Sequence, residues 1–168
     1  YSATGNGKLI INGDVVVANA AQLQSALDAA TGESTIKFGA NIEGDVVVSQ
    51  KDGVKITIDG ANHKYDGQIA VHGNSDFNTN TELKIANIYF ETATADKVFV
   101  WSYDSNAPVR YAHNVTIEDC TFTGAGVAAI RQNVAGERDW TIKDCTVAEN
   151  MHSLLQVSNT NGELVVEN

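Results

Sequence analysis

Leu83-Lys-Ile-Ala-Asn-Ile-Tyr-Phe90 is a stretch of sequence that returns along the second half of the chain. It comes back as Val115-Thr-Ile-Glu-Asp-Cys-Thr-Phe122 and as Trp140-Thr-Ile-Lys-Asp-Cys-Thr-Val147, and its opening returns in Leu164-Val-Val-Glu-Asn168. Each full copy consists of two triplets, separated by a two-residue turn, whose outer residues are mostly apolar. Because alternate side chains of a strand point to opposite faces, the first and third residues of a triplet should point inward. The pattern therefore predicts two short, half-buried strands in each repeat.

The copies recur at a spacing that is typical of a stacked repeat. Alignment on the third residue of each copy gives steps of 32, 25 and 24 residues, which suits one supersecondary unit stacked on itself. The aligned residues are Ile85, Ile117, Ile142 and Val166. A third apolar segment follows each pair, first as Val98-Phe-Val100, then as Ala128-Ala-Ile130 and then as Leu154-Leu-Gln-Val157. Three short strands per repeat, with no helix between them, predict a coil and not a βαβ unit.

This pattern resembles the right-handed parallel β-helix of the pectate-lyase-like superfamily. An Asn or Asp stands at one place in the repeat, where those proteins often stack polar side chains at the bend between the first and second strands. The residues are Asn87, Asp119, Asp144 and Asn168. An Asn or Asp can bond to backbone groups of a bend and tolerates the left-handed conformation of a tight corner. The resemblance implies an all-β fold, a single-stranded parallel β-helix with three short strands per coil and an N-terminal capping α-helix.

The segment 17–32 predicts that capping helix. Asn19 can cap its first turn, Gln22 follows three residues later as in a capping box, and Gly32 can end it. Its apolar stripe consists of Leu23, Ala26, Leu27 and Ala30. We therefore predict a single β-helix domain over residues 1–168, with an N-terminal arm at 1–14, a strand and capping helix at 15–35 and coils at 36–168. We expect this domain to be the N-terminal part of a longer protein.

The acidic composition restricts the partners. The chain has 11 basic and 21 acidic residues and a formal net charge of -10, so nucleic acid and anionic membranes would be repelled. No apolar run approaches the roughly 18 residues needed to span a bilayer, so we expect no membrane insertion. The resemblance and the composition favour a secreted or cell-surface bacterial protein. Its expected partner is a polysaccharide or a host or cell-surface glycan.

Catalytic and cofactor motifs are missing from the sequence. It has no Gly-x-Ser-x-Gly elbow, no His-Glu-x-x-His motif and no phosphate-binding glycine loop. The resemblance directs attention to the paired aspartates, or the arginine and calcium-binding acids, of β-helix enzymes, but neither set can be transferred to this chain. Asp119 and Asp144 are the nearest acidic pair, and a polar ladder at the bend explains them. We therefore predict no catalytic residue, no metal and no cofactor.

The two cysteines occupy equivalent inward positions one coil apart. Cys120 and Cys145 should therefore stack about 4.8 Å apart, the spacing of neighbouring strands. A disulfide and two small buried thiols both suit such positions, and the free pair is favoured. We expect the two buried thiols to react slowly with thiol reagents in the folded protein.

The loops that join the third strand to the next coil carry the candidate binding residues. The longest of them, 101–114, combines aromatic rings with polar neighbours, which is the chemistry of sugar recognition. The predicted ligand-binding residues are Trp101, Tyr103, Asp104, Arg110 and Tyr111, with Arg131 from the following loop. The alternative is that the aromatic residues pack the loop onto the coil and the arginines offset the acidic surface.

These features together favour a non-catalytic scaffold, adhesin-like or glycan-binding. A polysaccharide lyase or glycoside hydrolase of the pectate-lyase-like type is the alternative, and it depends on the fold resemblance alone. A second alternative is a structural filament subunit that self-associates end to end, because we expect the C-terminal end of the coil to be uncapped.

Overall fold

The computed structural model describes residues 9–11, 14–73, 81–103, 114–133, 139–157 and 163–168. Within these residues the chain forms eighteen β-strands and one α-helix, α1 (Ala20–Ala29). The strands in chain order are β1 (Leu9–Ile11), β2 (Asp14–Val17), β3 (Glu33–Phe38), β4 (Ile42–Glu43), β5 (Val46–Ser49), β6 (Lys55–Asp59), β7 (Lys64–Asp66), β8 (Ile69–His72), β9 (Glu82–Ala86), β10 (Tyr89–Thr92), β11 (Val98–Tyr103), β12 (Val115–Glu118), β13 (Thr121–Gly124), β14 (Ala128–Asn133), β15 (Trp140–Lys143), β16 (Thr146–Val147), β17 (Leu155–Val157) and β18 (Leu164–Glu167).

The strands form three sheets that wind into a parallel β-helix. The first sheet has the order β1-β2-β3-β6-β9-β12-β15-β18, the second β4-β7-β10-β13-β16 and the third β5-β8-β11-β14-β17. All neighbours are parallel except β1, which runs antiparallel to β2. The chain therefore visits the three sheets in turn through five complete coils, from β3 to β17, as the repeat predicts.

The register of the first sheet follows the sequence repeat. Ile117 pairs with Ile85 on one side and with Ile142 on the other, and Ile142 pairs with Val166. Leu83, Ile85, Ile88 and Phe90 are buried, whereas Lys84 is half-buried and Tyr89 is 39% exposed. The predicted inward and outward faces of the first two strands are confirmed.

The bends between the first and second sheets have the predicted left-handed backbone. Asn87, Asp119 and Asp144 have φ angles of 55°, 52° and 51°, a region that Asn and Asp enter more readily than other side chains. Asn87 Nδ2 also donates to Asp59 Oδ1 at 3.1 Å, which links this bend to the end of β6 in the preceding coil. The polar position of the repeat is thus a corner position.

The third strand departs from simple alternation. The rule that buries only the outer residues of a triplet is wrong here, because the middle residues Phe99 and Ala129 are 0% exposed. The Phe99 ring lies 5.2 Å from the Phe90 ring and 5.9 Å from the Phe122 ring, measured between centroids. Aromatic packing across the interior therefore draws this strand further into the core than its pattern predicts.

Helix α1 closes the N-terminal end of the third sheet. Asn19 Oδ1 accepts from Gln22 N at 2.9 Å, which confirms the predicted N-cap, and Leu23 and Leu27 are buried. Gln24 extends the sheet: Val47 N donates to Gln24 Oε1 at 2.8 Å and Gln24 Nε2 donates to Val47 O at 3.0 Å. A side-chain amide thus replaces a neighbouring strand at the edge of β5. Within the described residues, no helix has the length and apolar character needed to span a membrane.

Candidate functional site

The third corner, where the chain passes from the third sheet back to the first, separates two outer surfaces with polar side chains. Trp101 lies in β11 and Arg131 in β14, so the prediction that they belong to loops is wrong, and both side chains are held by strands of the third sheet. Tyr103 is the last residue of β11, and its side chain lies outside the described part of the structure. The predicted residues that fall outside the described ranges are Asp104, Arg110 and Tyr111. Only the pair Trp101 and Arg131 can therefore be compared with the prediction.

The structure brings Trp101 and Arg131 into contact. They are register partners on adjacent strands, and the guanidinium carbon lies 5.7 Å from the centre of the Trp101 ring. This is the distance of a cation–π contact, which is attractive because the ring face carries negative charge density. Trp101 pairs on its other side with Ala70, whose side chain is a single methyl group. Two residues 30 positions apart in sequence thus form one surface feature.

Gln156 fixes the orientation of Arg131. It is the next register partner along the third sheet, and its Oε1 accepts from Arg131 Nε at 2.9 Å and from Nη2 at 2.6 Å. Both bonds lie on one edge of the planar guanidinium, and Nη1 takes part in neither. Trp101, Arg131 and Gln156 form a continuous row across three coils, which we call the Trp101 row. The sequence did not reveal Gln156, because it lies in a segment recognisable only as a strand.

Two buried polar residues follow the members of this row. Ser102 and Gln132 are inward register partners and are each 1% exposed. Ser102 Oγ and both amide atoms of Gln132 have no hydrogen-bond partner among the described residues. Burying such groups unpaired costs about 1–3 kcal/mol each. The core beside the third corner is therefore more polar than the apolar ladders elsewhere.

A groove lies on the other side of the third corner, on the outer face of the first sheet. Its volume is about 290 Å³, and it is lined by the beginnings of strands β6, β9, β12 and β15. One row of its lining consists of Lys55, Glu82, Asn114 and Asp139, and a second row consists of Thr57, Lys84 and Thr116. We call this feature the first-sheet groove.

Oppositely charged side chains form ion pairs in and beside this groove. Lys55 Nζ lies 2.6 Å from Glu82 Oε1, a hydrogen bond that raises the pKa of Lys55. Lys84 is paired with Glu118, which also lies 2.9 Å from Lys143 Nζ. Burial alone would raise the pKa of Glu118, but the hydrogen bonds from the two lysines hold it below its usual range. The groove and its border thus offer cationic hydrogen-bond donors and anionic acceptors, which suit a ligand with many hydroxyl groups.

Metal binding has no support within the described residues. No group of three or more His, Cys, Asp or Glu side chains is placed there to hold a metal ion. Asp119 and Asp144, the acidic pair of the repeat, lie at consecutive bends with left-handed backbones. Their geometry is that of a corner ladder.

The chain matches no protein-family model, no curated protein and no solved structure. Strand pairing shows the parallel β-helix, and the resemblance to the pectate-lyase-like superfamily rests on the sequence pattern alone.

Proposed function

We propose that this protein is a non-catalytic, adhesin-like scaffold of the bacterial cell surface or exterior that binds a glycan through the Trp101 row. The observation that supports the proposal is the contact of Trp101 with Arg131, oriented by Gln156. An aromatic ring packs against the CH face of a sugar, and a guanidinium donates to hydroxyl or carboxylate oxygens. All three residues belong to strands, so the ligand would meet a surface that is already ordered.

Charge predicts how this row would discriminate between glycans. The protein carries a net charge of -10, so an acidic polysaccharide is repelled by most of the surface. Arg131 supplies a cation at the row, and the end of its guanidinium that carries Nη1 lies away from Gln156. A carboxylate could bind at that end in bidentate fashion. Acidic glycans should therefore depend on Arg131 more strongly than neutral glycans do.

A glycan screen followed by titration calorimetry tests the proposal. Trp101→Ala should weaken binding of any hit about tenfold or more, because buried aromatic anchors dominate small polar interfaces. Tyr89→Ala is the matched control, since Tyr89 is an exposed aromatic residue on the second sheet. Arg131→Gln should weaken acidic hits more than neutral ones. A screen without hits, or equal losses for Trp101→Ala and Tyr89→Ala, would contradict glycan binding at this row.

The first-sheet groove supports a second candidate, a polysaccharide hydrolase. Glu82 and Asp139 both line it and belong to coils separated by one intervening coil. Two strand spacings place their backbones roughly 10 Å apart. This backbone distance is close to the separation of about 6.5–9.5 Å between the two carboxyl groups of inverting glycosidases.

Turnover assays on neutral and uronate-containing polysaccharides distinguish the two candidates. Turnover that is lost in both Glu82→Gln and Asp139→Asn would favour the hydrolase, whereas binding without turnover would favour the scaffold. The mass of the same samples, measured against concentration, tests the filament alternative.

A further inference from the structure

Two thiols are stacked where the first sheet bends into the second. Cys120 directly precedes β13 and Cys145 directly precedes β16, and these strands pair in parallel with Thr121 opposite Thr146. Thr146 N donates to Cys120 O at 2.9 Å, which fixes the alignment of the two segments. Their Cα atoms are thus about one strand spacing apart, roughly 4.8 Å. This lies within the range of about 4.4–6.8 Å that a disulfide spans.

Both cysteines are free, but their environments differ. Cys120 is 1% exposed, and its Sγ lies 3.2 Å from Glu118 O, in the interior. Cys145 is only partly buried, and its Sγ lies 3.7 Å from Ile117 O. The expectation that both thiols are buried is therefore wrong for Cys145. A reagent from solvent can reach Cys145 before it can reach Cys120.

The interaction between the thiols adds a chemical difference to the steric one. The neighbouring Cys145 thiol, together with burial, raises the pKa of Cys120. The neighbouring Cys120 thiol lowers the pKa of Cys145. Cys145 is therefore the thiol that ionises more readily, as well as the one that solvent reaches. Because the thiolate is the nucleophile, the accessible sulfur is also the reactive one.

We propose that Cys120 and Cys145 form a reversible dithiol–disulfide site that small-molecule disulfides oxidise, with Cys145 as the attacking thiol and Cys120 as the resolving thiol. The site shares no residue with the Trp101 row, and the proposal does not depend on glycan binding. Its substrate class is a low-molecular-weight disulfide, written RSSR.

The reaction proceeds in two exchange steps. The Cys145 thiolate attacks one sulfur of RSSR, the S–S bond of the reagent breaks, and RS⁻ leaves and takes up a proton. The sulfur of Cys120 then attacks the Cys145 sulfur of the mixed disulfide, and the Cys120 proton passes to the RS group that leaves. In total two protein thiols are oxidised to one disulfide, and one RSSR is reduced to two RSH.

The test uses the full chain, oxidised glutathione in native buffer and intact mass spectrometry. The wild type should lose two hydrogen atoms without accumulating a glutathione adduct, and dithiothreitol should reverse the change. Cys120→Ala should stop at one stable adduct on Cys145, because the resolving thiol is absent. Cys145→Ala should react at least about tenfold more slowly than the Cys120→Ala variant, because only the buried thiol remains.

The opposite results would overturn the proposal. A wild type that keeps the glutathione adduct would show that Cys120 does not resolve it, and equal rates for the two variants would remove the assigned order of attack. Far-UV circular dichroism of each variant identifies any that has unfolded, and Cys120→Ser and Cys145→Ser then replace the alanine variants. Wild-type protein that stays fully reduced under conditions that oxidise a control dithiol peptide would also refute the site.

Discussion

Replacing Ile117 by Asp should unfold the β-helix, whereas the same change at Thr116 should be tolerated. Ile117 is 0% exposed and lies between Ile85 and Ile142 in the inward ladder of the first sheet. Losing the buried side chain costs about 2–5 kcal/mol by comparison with other buried Ile and Leu residues. Burying an unpaired polar group adds about 2–7 kcal/mol. The sum approaches the stability of a typical domain, about 5–15 kcal/mol.

Thr116 is the neighbouring residue, but its side chain points outward and is half-buried. It lines the first-sheet groove beside Lys84, so a carboxylate there remains hydrated and faces a cation. We expect Thr116→Asp to change the free energy of unfolding by no more than about 1 kcal/mol. The two variants place the same charge one residue apart on the same strand and differ only in the face that carries it.

Urea denaturation followed by far-UV circular dichroism measures the difference. Ile117→Asp should show no folded baseline, Ile117→Ala should lower the urea midpoint, and Thr116→Asp should unfold near the wild-type midpoint. With a slope of about 1–3 kcal/mol per molar urea, a loss of about 3 kcal/mol moves the midpoint by at least about 1 M. Equal midpoints for the two aspartate variants would refute the inward ladder and the register of the first sheet.

Two further predictions concern a corner and an ion pair. Gly124→Ala should destabilise strongly, because Gly124 has a φ of +107° and an added Cβ would lie 1.9 Å from Thr92 O. The control is Gly53→Ala, with a φ of +68° and no atom within 4 Å, which should cost only about 1–2 kcal/mol of left-handed strain. Similar urea midpoints for the two would contradict the close approach of consecutive coils. Glu118→Gln should lower stability at neutral pH by about 1 kcal/mol, because the lysine bonds lower the folded-state pKa of Glu118. That contribution is present above the ordinary pKa and is lost as pH falls through the folded-state pKa, so the stabilities of wild type and variant should converge in acid, and a difference that grew in acid would contradict the assignment.

The fold could be predicted because a parallel coil puts the same residue of each repeat in the same environment. One aligned position yields Ile85, Ile117 and Ile142 as an inward ladder, and another yields the left-handed corners at Asn87 and Asp119. Each position of the repeat recurs several times along the chain, so a residue preference that is weak in one repeat becomes reliable when the repeats are aligned. The third strand was harder, because Phe99 is buried by aromatic rings of the second sheet and not by its own alternation.

The candidate site was predictable only in part, for the same physical reason. Trp101 and Arg131 stand out as residue types suited to sugars, but their contact depends on the register between β11 and β14. Gln156 and the groove residue Asp139 are ordinary polar residues until strand pairing shows which side chains they join. Such rows consist of residues about one coil apart in sequence, so no short sequence motif predicts them.

The strand spacing links the two proposed sites of this protein. Parallel neighbours about 4.8 Å apart bring equivalent side chains within reach of each other on both faces of a strand. On the outer face this spacing lets the Arg131 guanidinium lie over Trp101 and bond to Gln156. On the inner face it brings Cys120 and Cys145 within the reach of a disulfide. Residues at equivalent positions of consecutive repeats can therefore form one row, because the corners and inward ladders of the coil hold their strands side by side.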